Sequence, residues 1–177
     1  MALNTPSIAL VGVGGFGRIH LTNLHRLAAL GRVRLAGMVT GGGVEQVRGV
    51  VEPDVFALAE SVPTFPTLDA LLAAGDVPTV VVISTPIHTH TALTLAALRA
   101  GAHVLLEKPP TPGLADFGEL IEAAATAQRV VQVGFQSFGS QALPHLAELI
   151  GSGAIGELRG IGGVGTWSRG VTQPATT

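Results

Sequence analysis

The stretch Ser7-Ile-Ala-Leu-Val-Gly-Val-Gly-Gly-Phe-Gly-Arg-Ile-His20 decides the fold. Ser7 to Val13 is a short apolar run that reads as a strand, and Gly12-x-Gly14-x-x-Gly17 breaks it. Beyond it, Ile19, Leu21, Leu24, Leu27 and Leu30 recur on the broad apolar face of a helix that Gly31 ends. A strand, a glycine turn and a helix in that order form a phosphate-binding device. The first glycine permits the tight turn, the second lets backbone approach a pyrophosphate, and the third lets helix and strand pack closely. The open N–H groups and positive dipole end of the helix then hold the phosphates. Gly12, Gly14, Gly15, Phe16 and Gly17 are therefore the first candidate cofactor-binding residues.

Working outward, strands and helices alternate. Val33 to Val39 is a second strand that exits through Thr40-Gly41-Gly42-Gly43, and residues 44–60 read as helix in two pieces because Pro53 suits a first turn. Val62 to Phe65 is a short strand and Leu68 to Ala74 a short helix. Thr79 to Ile83 has no polar alternation, as a parallel strand buried on both faces requires. Helix Thr89 to Ala100 closes at Gly101, then come strand Ala102 to Leu106, helix Leu114 to Gln128 and strand Val130 to Val133. This order predicts an α/β fold with a doubly wound parallel sheet over residues 1–134. Residues 135–177 change texture: a helix over 141–150, a turn at 151–153, a Gly-interrupted strand over 155–168 and a frayed polar tail from 170. They read as the start of a second α+β domain.

The chain has 177 residues, a formal net charge of −2 and only 12% charged residues, so no electrostatic footprint for nucleic acid or an anionic membrane is present. It has no cysteine, which excludes disulfides and thiolate-bound metals, and no histidine–carboxylate spacing suggests a metal site. No apolar run approaches the roughly 20 residues of a membrane helix. A soluble, cytoplasmic protein is the expectation.

Two features bear on the cofactor and the chemistry. An acid about 20 residues after the glycine turn ordinarily binds the adenine ribose, but the second strand ends in Met38-Val39-Thr40-Gly41 and the first acid is Glu45. The Thr40 hydroxyl and a roomy glycine turn would not repel a 2′-phosphate, and Arg48 reaches one only if the loop folds back. The site thus admits NADP or NAD, with NADP favoured. Secondly, Lys108 is the single lysine beside nine arginines. An ammonium can move a proton where a guanidinium does not.

With these pieces in place, the sequence resembles the Gfo/Idh/MocA family of NAD(P)-dependent oxidoreductases, which act mostly on sugars, inositols and related polyols. The matching segments are Gly12 to His20, Ser84-Thr-Pro-Ile-His-Thr-His90, Ala100 to Pro109 with its Glu107-Lys108-Pro109 block, Val131 to Phe135, and Ile150 to Leu158. The resemblance implies that Ser84, Thr85 and Pro86 line the cofactor cleft and that His90 starts a helix beside it. It also implies that Glu107 and Lys108 lie near the nicotinamide, with Pro109 fixing the turn. Lys108 would be the catalytic residue, contacting the reacting hydroxyl or carbonyl while hydride passes to or from the cofactor. His88 is expected to be structural, and His20, His25, His103 and His145 to pack or lie at the surface.

The chain departs from the family pattern in two ways. Gln136-Ser137-Phe138 stands where many members carry Asn and Arg; Gln136 can still bond cofactor or substrate, but the arginine has no counterpart. The Asp/His pair of the family's second domain is also absent, so the expectation is a cofactor domain followed by the beginning of a truncated substrate domain, inactive alone. Its final strand would offer an unpaired edge for homo-oligomer formation. The competing readings are a non-catalytic nucleotide-binding or interaction module and a doubly wound protein for another nucleotide-like ligand, such as a methyl donor.

Overall fold

A computed structural model describes residues 5–164 and divides the chain into two units, the first ending at Phe135 and the second beginning at Gln136. In the first, strand β1 (Ser7–Val11) leads to helix α1 (Gly17–Ala29) and then to β2 (Arg34–Val39). The chain continues through α2 (Pro53–Ser61), β3 (Thr64–Phe65), α3 (Leu68–Ala73), β4 (Val80–Ile83), α4 (His90–Ala100), β5 (His103–Leu106), α5 (Leu114–Ala127) and β6 (Val131–Val133). The six strands form one sheet in the order β3-β2-β1-β4-β5-β6, with every pairing parallel. This is the doubly wound arrangement in which the strand order reverses beside β1, leaving a crevice at the strands' carboxyl ends.

Period-two alternation explains why both sheet faces are covered. Ala9 and Val11 of β1, with Val81 and Ile83 of β4, face a cluster completed by Leu68, Leu71, Ala97, Leu98 and Leu120 from α3, α4 and α5. Ile8, Leu10 and Val82 face the opposite cluster, with Leu21 and Leu24 of α1 and Val55, Phe56 and Ala59 of α2. Each such large side chain removed from water contributes about 1.5–3 kcal/mol. The helix boundaries follow local chemistry. Pro53 occupies the first turn of α2 as expected, the Thr67 hydroxyl caps α3 by accepting the Ala70 N–H at 3.1 Å, and Gly101 closes α4 in a left-handed conformation. No helix among the described residues is long and apolar enough to cross a membrane.

The second unit holds a 3-10 turn over Gln136–Gly139 and helix α6 (Ala142–Gly151), close to the helix expected at 141–150. The strand expected over 155–168 requires correction: residues 156–164 form no strand, and 165–168 lie outside the described residues, as does the tail from 170. Gly160, Gly162 and Gly163 supply no side chains to a sheet face, and the six-stranded sheet includes no partner for this segment. A strand without a ladder leaves its polar backbone to water and has little to hold it extended. Limited proteolysis should cut first within residues 152–164 and leave 7–134 protected, because exposed backbone outside any ladder opens most readily. Mass mapping of the early fragments checks this, and initial cleavage inside β1–β6 would contradict it.

Candidate functional site

A staircase of backbone hydrogen bonds builds the site at the carboxyl end of the sheet. The residue that leaves β1, β2, β4, β5 or β6 donates its N–H to the last carbonyl of a neighbour: Gly12 to Val39 at 2.9 Å, Thr40 to Phe65 at 3.2 Å, Ser84 to Val11 at 2.8 Å, Glu107 to Ile83 at 2.9 Å and Gly134 to Leu106 at 2.8 Å. The exits of β1, β2, β4 and β5 open onto a cleft of about 540 Å³. Gly12, Gly14, Gly15, Phe16, Thr40, Ser84, Thr85, Pro86, Glu107 and Lys108 line it, so ten expected site residues meet in one place.

The glycines divide by what a side chain would meet. Gly12 has φ +86°, and a Cβ there would overlap the Ser84 carbonyl oxygen and press on the Thr85 methyl at 2.9 Å. Gly17 begins α1, and its Cβ would overlap the Gly12 carbonyl, so it packs the turn without lining the cleft. At Gly14 the nearest atom to a Cβ is the Gln46 Oε1 at 3.6 Å, and at Gly15 nothing lies within 4 Å. Two glycines therefore close the turn while the other two keep its outer surface open. Helix α1 has no side-chain cap and no acid in its first turn. The Gly17 N–H turns back onto the Gly14 carbonyl at 2.8 Å and that of Ile19 onto Phe16 at 2.9 Å, so the turn folds on its own backbone and its positive dipole end faces the cleft without a carboxylate of its own. An open glycine cradle at an uncapped helix start fits a pyrophosphate.

Glu107 and Lys108 face the same cleft but differ in environment. Glu107 is buried; its Oε1 lies 2.8 Å from His20 Nε2, and its Oε2 accepts the Lys108 N–H at 3.2 Å. His20 reaches it from α1, in edge-to-face contact with Phe16 at 5.5 Å between ring centroids. Lys108 is exposed, and its ammonium has no carboxylate partner among the described residues. The surface pair Lys108–Glu107 is thus not formed, and Glu107 pairs with His20 instead. The Lys108–Pro109 bond is cis.

His90 lies beneath the cleft rather than in its lining. Its ring is 1% exposed, with Nδ1 3.0 Å from the Pro109 carbonyl oxygen and Nε2 2.8 Å from that of Thr85. The ring packs between the β4 exit and the Lys108–Pro109 loop, and in its neutral form donates to one of these two oxygens. Gln136 belongs to the second unit, exposed in its 3-10 turn. Among the remaining histidines, His25 lies 3.6 Å from Asp54, and His103 Nδ1 accepts the Val130 N–H at 3.0 Å. His145 is exposed, 3.8 Å from Glu148. No cluster of potential metal ligands occurs among the described residues.

Sequence reasoning missed two residues. His20 was placed with the packing histidines, although its spacing of four from Phe16 already put it on the helix face below the glycine turn. Gln46 was not singled out, yet it lines the cleft, and its amide nitrogen donates to the Thr40 hydroxyl and to the Gly43 carbonyl at 3.2 Å. Arg48, the residue considered for a 2′-phosphate, is engaged elsewhere. It bonds Glu45 at 2.5 and 2.9 Å and Glu60 at 3.3 Å, and lies 4.4 Å over the Phe56 ring. The hydrogen bond from Arg48 holds the Glu45 carboxyl below its ordinary range, and the same bond raises Arg48. No arginine lines the cleft.

Comparison with known proteins agrees with this geometry. Residues 7–135 match the family described as an oxidoreductase family with an NAD-binding Rossmann fold. The chain is 34% identical over 166 residues to inositol 2-dehydrogenase of Leifsonia xyli subsp. xyli, covering 90% of this chain and 45% of that protein. UDP-N-acetylglucosamine 3-dehydrogenase from Acidithiobacillus ferrooxidans superposes with a TM-score of 0.64 at 29% identity, over 81% of this chain and 41% of that one. The scyllo-inositol dehydrogenase of Lactobacillus casei, solved with bound NAD(H) and scyllo-inositol, shares the fold with a TM-score of 0.69 at 24% identity. That match covers 87% of this chain and 43% of that one. The chain spans less than half the length of the relatives it matches.

Replacing His20 tests the buried pair. His20→Ala leaves the Glu107 carboxylate short of its donor and should lower stability by about 1.5–3 kcal/mol, the range for a hydrogen bond to a charged group. His20→Gln, which can still donate, should recover most of the loss. Urea denaturation measures both, and equal losses for Ala and Gln would show that the bond contributes nothing.

Proposed function

The chain belongs to the Gfo/Idh/MocA oxidoreductase family, and from that membership we propose that it binds NAD(H) in the glycine-lined cleft as the cofactor-binding part of a dehydrogenase acting on an inositol, a sugar or a related polyol. The observation that carries this reading is the meeting of the open Gly14–Gly15 cradle and the unpaired Lys108 in one cleft. The dinucleotide, when bound, supplies the acceptor or donor of hydride. The residues of this chain do the rest: the glycine turn and the start of α1 hold the pyrophosphate, and Ser84, Thr85 and Pro86 form the wall between it and the reacting end.

Lys108 has the chemistry for the reacting oxygen. An ammonium there stabilises negative charge that develops on a substrate hydroxyl or carbonyl, and as the amine it accepts the hydroxyl proton. Its uncommitted state matters, because a lysine locked to a carboxylate would have to break that pair first. Glu107 is already held by His20, which leaves its neighbour free. NAD(H) is preferred to the NADP favoured by the sequence, since Arg48 is occupied by two carboxylates and stacked on Phe56. The relatives' cofactors and substrates, including the NAD(H) and scyllo-inositol of the Lactobacillus casei enzyme, point the same way.

A second reading, nucleotide binding without turnover, is favoured because Lys108 is the one cation lining the cleft among the described residues and His20 beside it is committed to Glu107. Fluorescence titration with NADH and NADPH, followed by assays across inositols and sugars, separates the two. Saturable NADH binding at sub-millimolar concentration is expected. Lys108→Ala should retain binding and lose about 10²–10⁴-fold in turnover, the usual worth of a positioned acid or base. Binding without turnover leaves the second reading standing, and no binding by either dinucleotide overturns both.

A further inference from the structure

The end of β2 carries no acid, yet the structure places an acceptor there. Gln46 projects from the 3-10 turn Val44–Val47 back toward the glycine turn. The orientation of its amide is fixed by its partners. The Gly43 carbonyl can only accept, so the nitrogen of Gln46 must face it, at 3.2 Å. The Thr40 hydroxyl donates to the same carbonyl at 3.3 Å and receives the second N–H of Gln46. Both donors of the amide are therefore used, and the carbonyl oxygen, Oε1, takes no hydrogen bond among the described residues. That oxygen lies 3.6 Å from where a Gly14 side chain would begin, on the open side of the turn.

We infer that Gln46 is the specificity-determining residue of the cleft: its Oε1 accepts a hydrogen bond from the adenine-ribose 2′-hydroxyl, in place of the absent carboxylate. This rests on the reading of the cleft as a dinucleotide site. A carbonyl oxygen accepts from a hydroxyl but has nothing to offer a 2′-phosphate, which carries no proton to share near neutral pH and needs cations. The nearby cation is Arg48, and Glu45 and Glu60 already take its N–H groups. An incoming 2′-phosphate would meet a carbonyl oxygen, and the arginine two positions further on already carries two carboxylates. Selectivity for NAD(H) thus comes from a neutral acceptor combined with a neutralised arginine.

The test compares NADH, NADPH and the analogue of NADH whose adenosine ribose lacks the 2′-hydroxyl, by fluorescence titration on the intact protein. Wild type should bind NADH about five- to tenfold more tightly than the deoxy analogue, as the loss of one hydrogen bond predicts, and should bind NADPH more weakly than NADH. Gln46→Ala should bind NADH and the deoxy analogue equally. A residue that merely braces the loop would weaken both ligands and keep their ratio. Gln46→Glu should restore the discrimination and reject NADPH further, and Arg48→Ala should not selectively weaken NADPH. Wild type that binds NADH but does not distinguish the deoxy analogue, or Gln46→Ala that still does, overturns the inference alone. Wild type that binds no dinucleotide overturns the proposed function with it.

Discussion

Everything at the site depends on the stagger of parallel strands at their carboxyl ends. At five of the exits the first N–H beyond the strand goes to a neighbour's last carbonyl, which sets Thr40, Gly12, Ser84, Glu107 and Gly134 side by side. A Cβ at Gly12 would enter the Ser84 carbonyl, so glycine there is a consequence of sheet geometry, whereas one at Gly134 would come within 2.9 Å of Oε1 on the Glu107 side chain. Chemistry can be placed above these exits because the floor is fixed by backbone bonds on every side.

The Lys108 loop illustrates how that fixed floor is extended. Strand β5 ends at Leu106, and beyond it the ladder no longer directs the chain. Two histidines from different helices take over. His20 of α1 holds the carboxylate before Lys108, and His90 of α4 lies against the carbonyl after it. His90 also contacts the Thr85 carbonyl, and its tautomer decides which of the two oxygens receives the N–H of a neutral ring. The residue before Lys108 is thereby anchored at its side chain, while the carbonyl after it packs against a buried ring.

What was legible in the sequence was what depends on neighbours along the chain. The unbroken Val80–Ile83 run, the alternating faces of β1, Pro53 at a first turn and Gly101 at a helix end all follow from local sterics and periodicity. Ten of the cleft residues were legible too: the glycine turn with Phe16 and Thr40 from local sterics, and Ser84, Thr85, Pro86, Glu107 and Lys108 from what the family resemblance implies. His20 was not, because its role depends on a partner 87 positions away. Gln46 was hidden by a loop whose fold-back is set by Gly43 at φ +68° and by the buried Val47. The expected strand over 155–168 had the right apolar residues, but strand formation needs a neighbour to pair with, and periodicity carries no information about that.

The near-absence of lysine also gains a physical reading. Arg48 engages two carboxylates and an aromatic face together. Arg129 directs Nε to the Gly101 carbonyl at 2.5 Å and another nitrogen to that of Gln128 at 3.0 Å, joining the end of α4 to that of α5. Arg18 turns its Nε back onto the Gly15 carbonyl at 3.1 Å and so braces the glycine turn. The tasks of Arg48 and Arg129 use several donors in a rigid plane, which a guanidinium supplies and an ammonium does not. Lys108 occupies the one position where the requirement is reversed: a single charge on a flexible stem, free of partners, able to follow an oxygen as its charge changes. A guanidinium there would keep the positive charge but not release its proton, so Lys108→Arg should bind dinucleotide as the wild type does and fail at the proton transfer that Lys108 is proposed to perform.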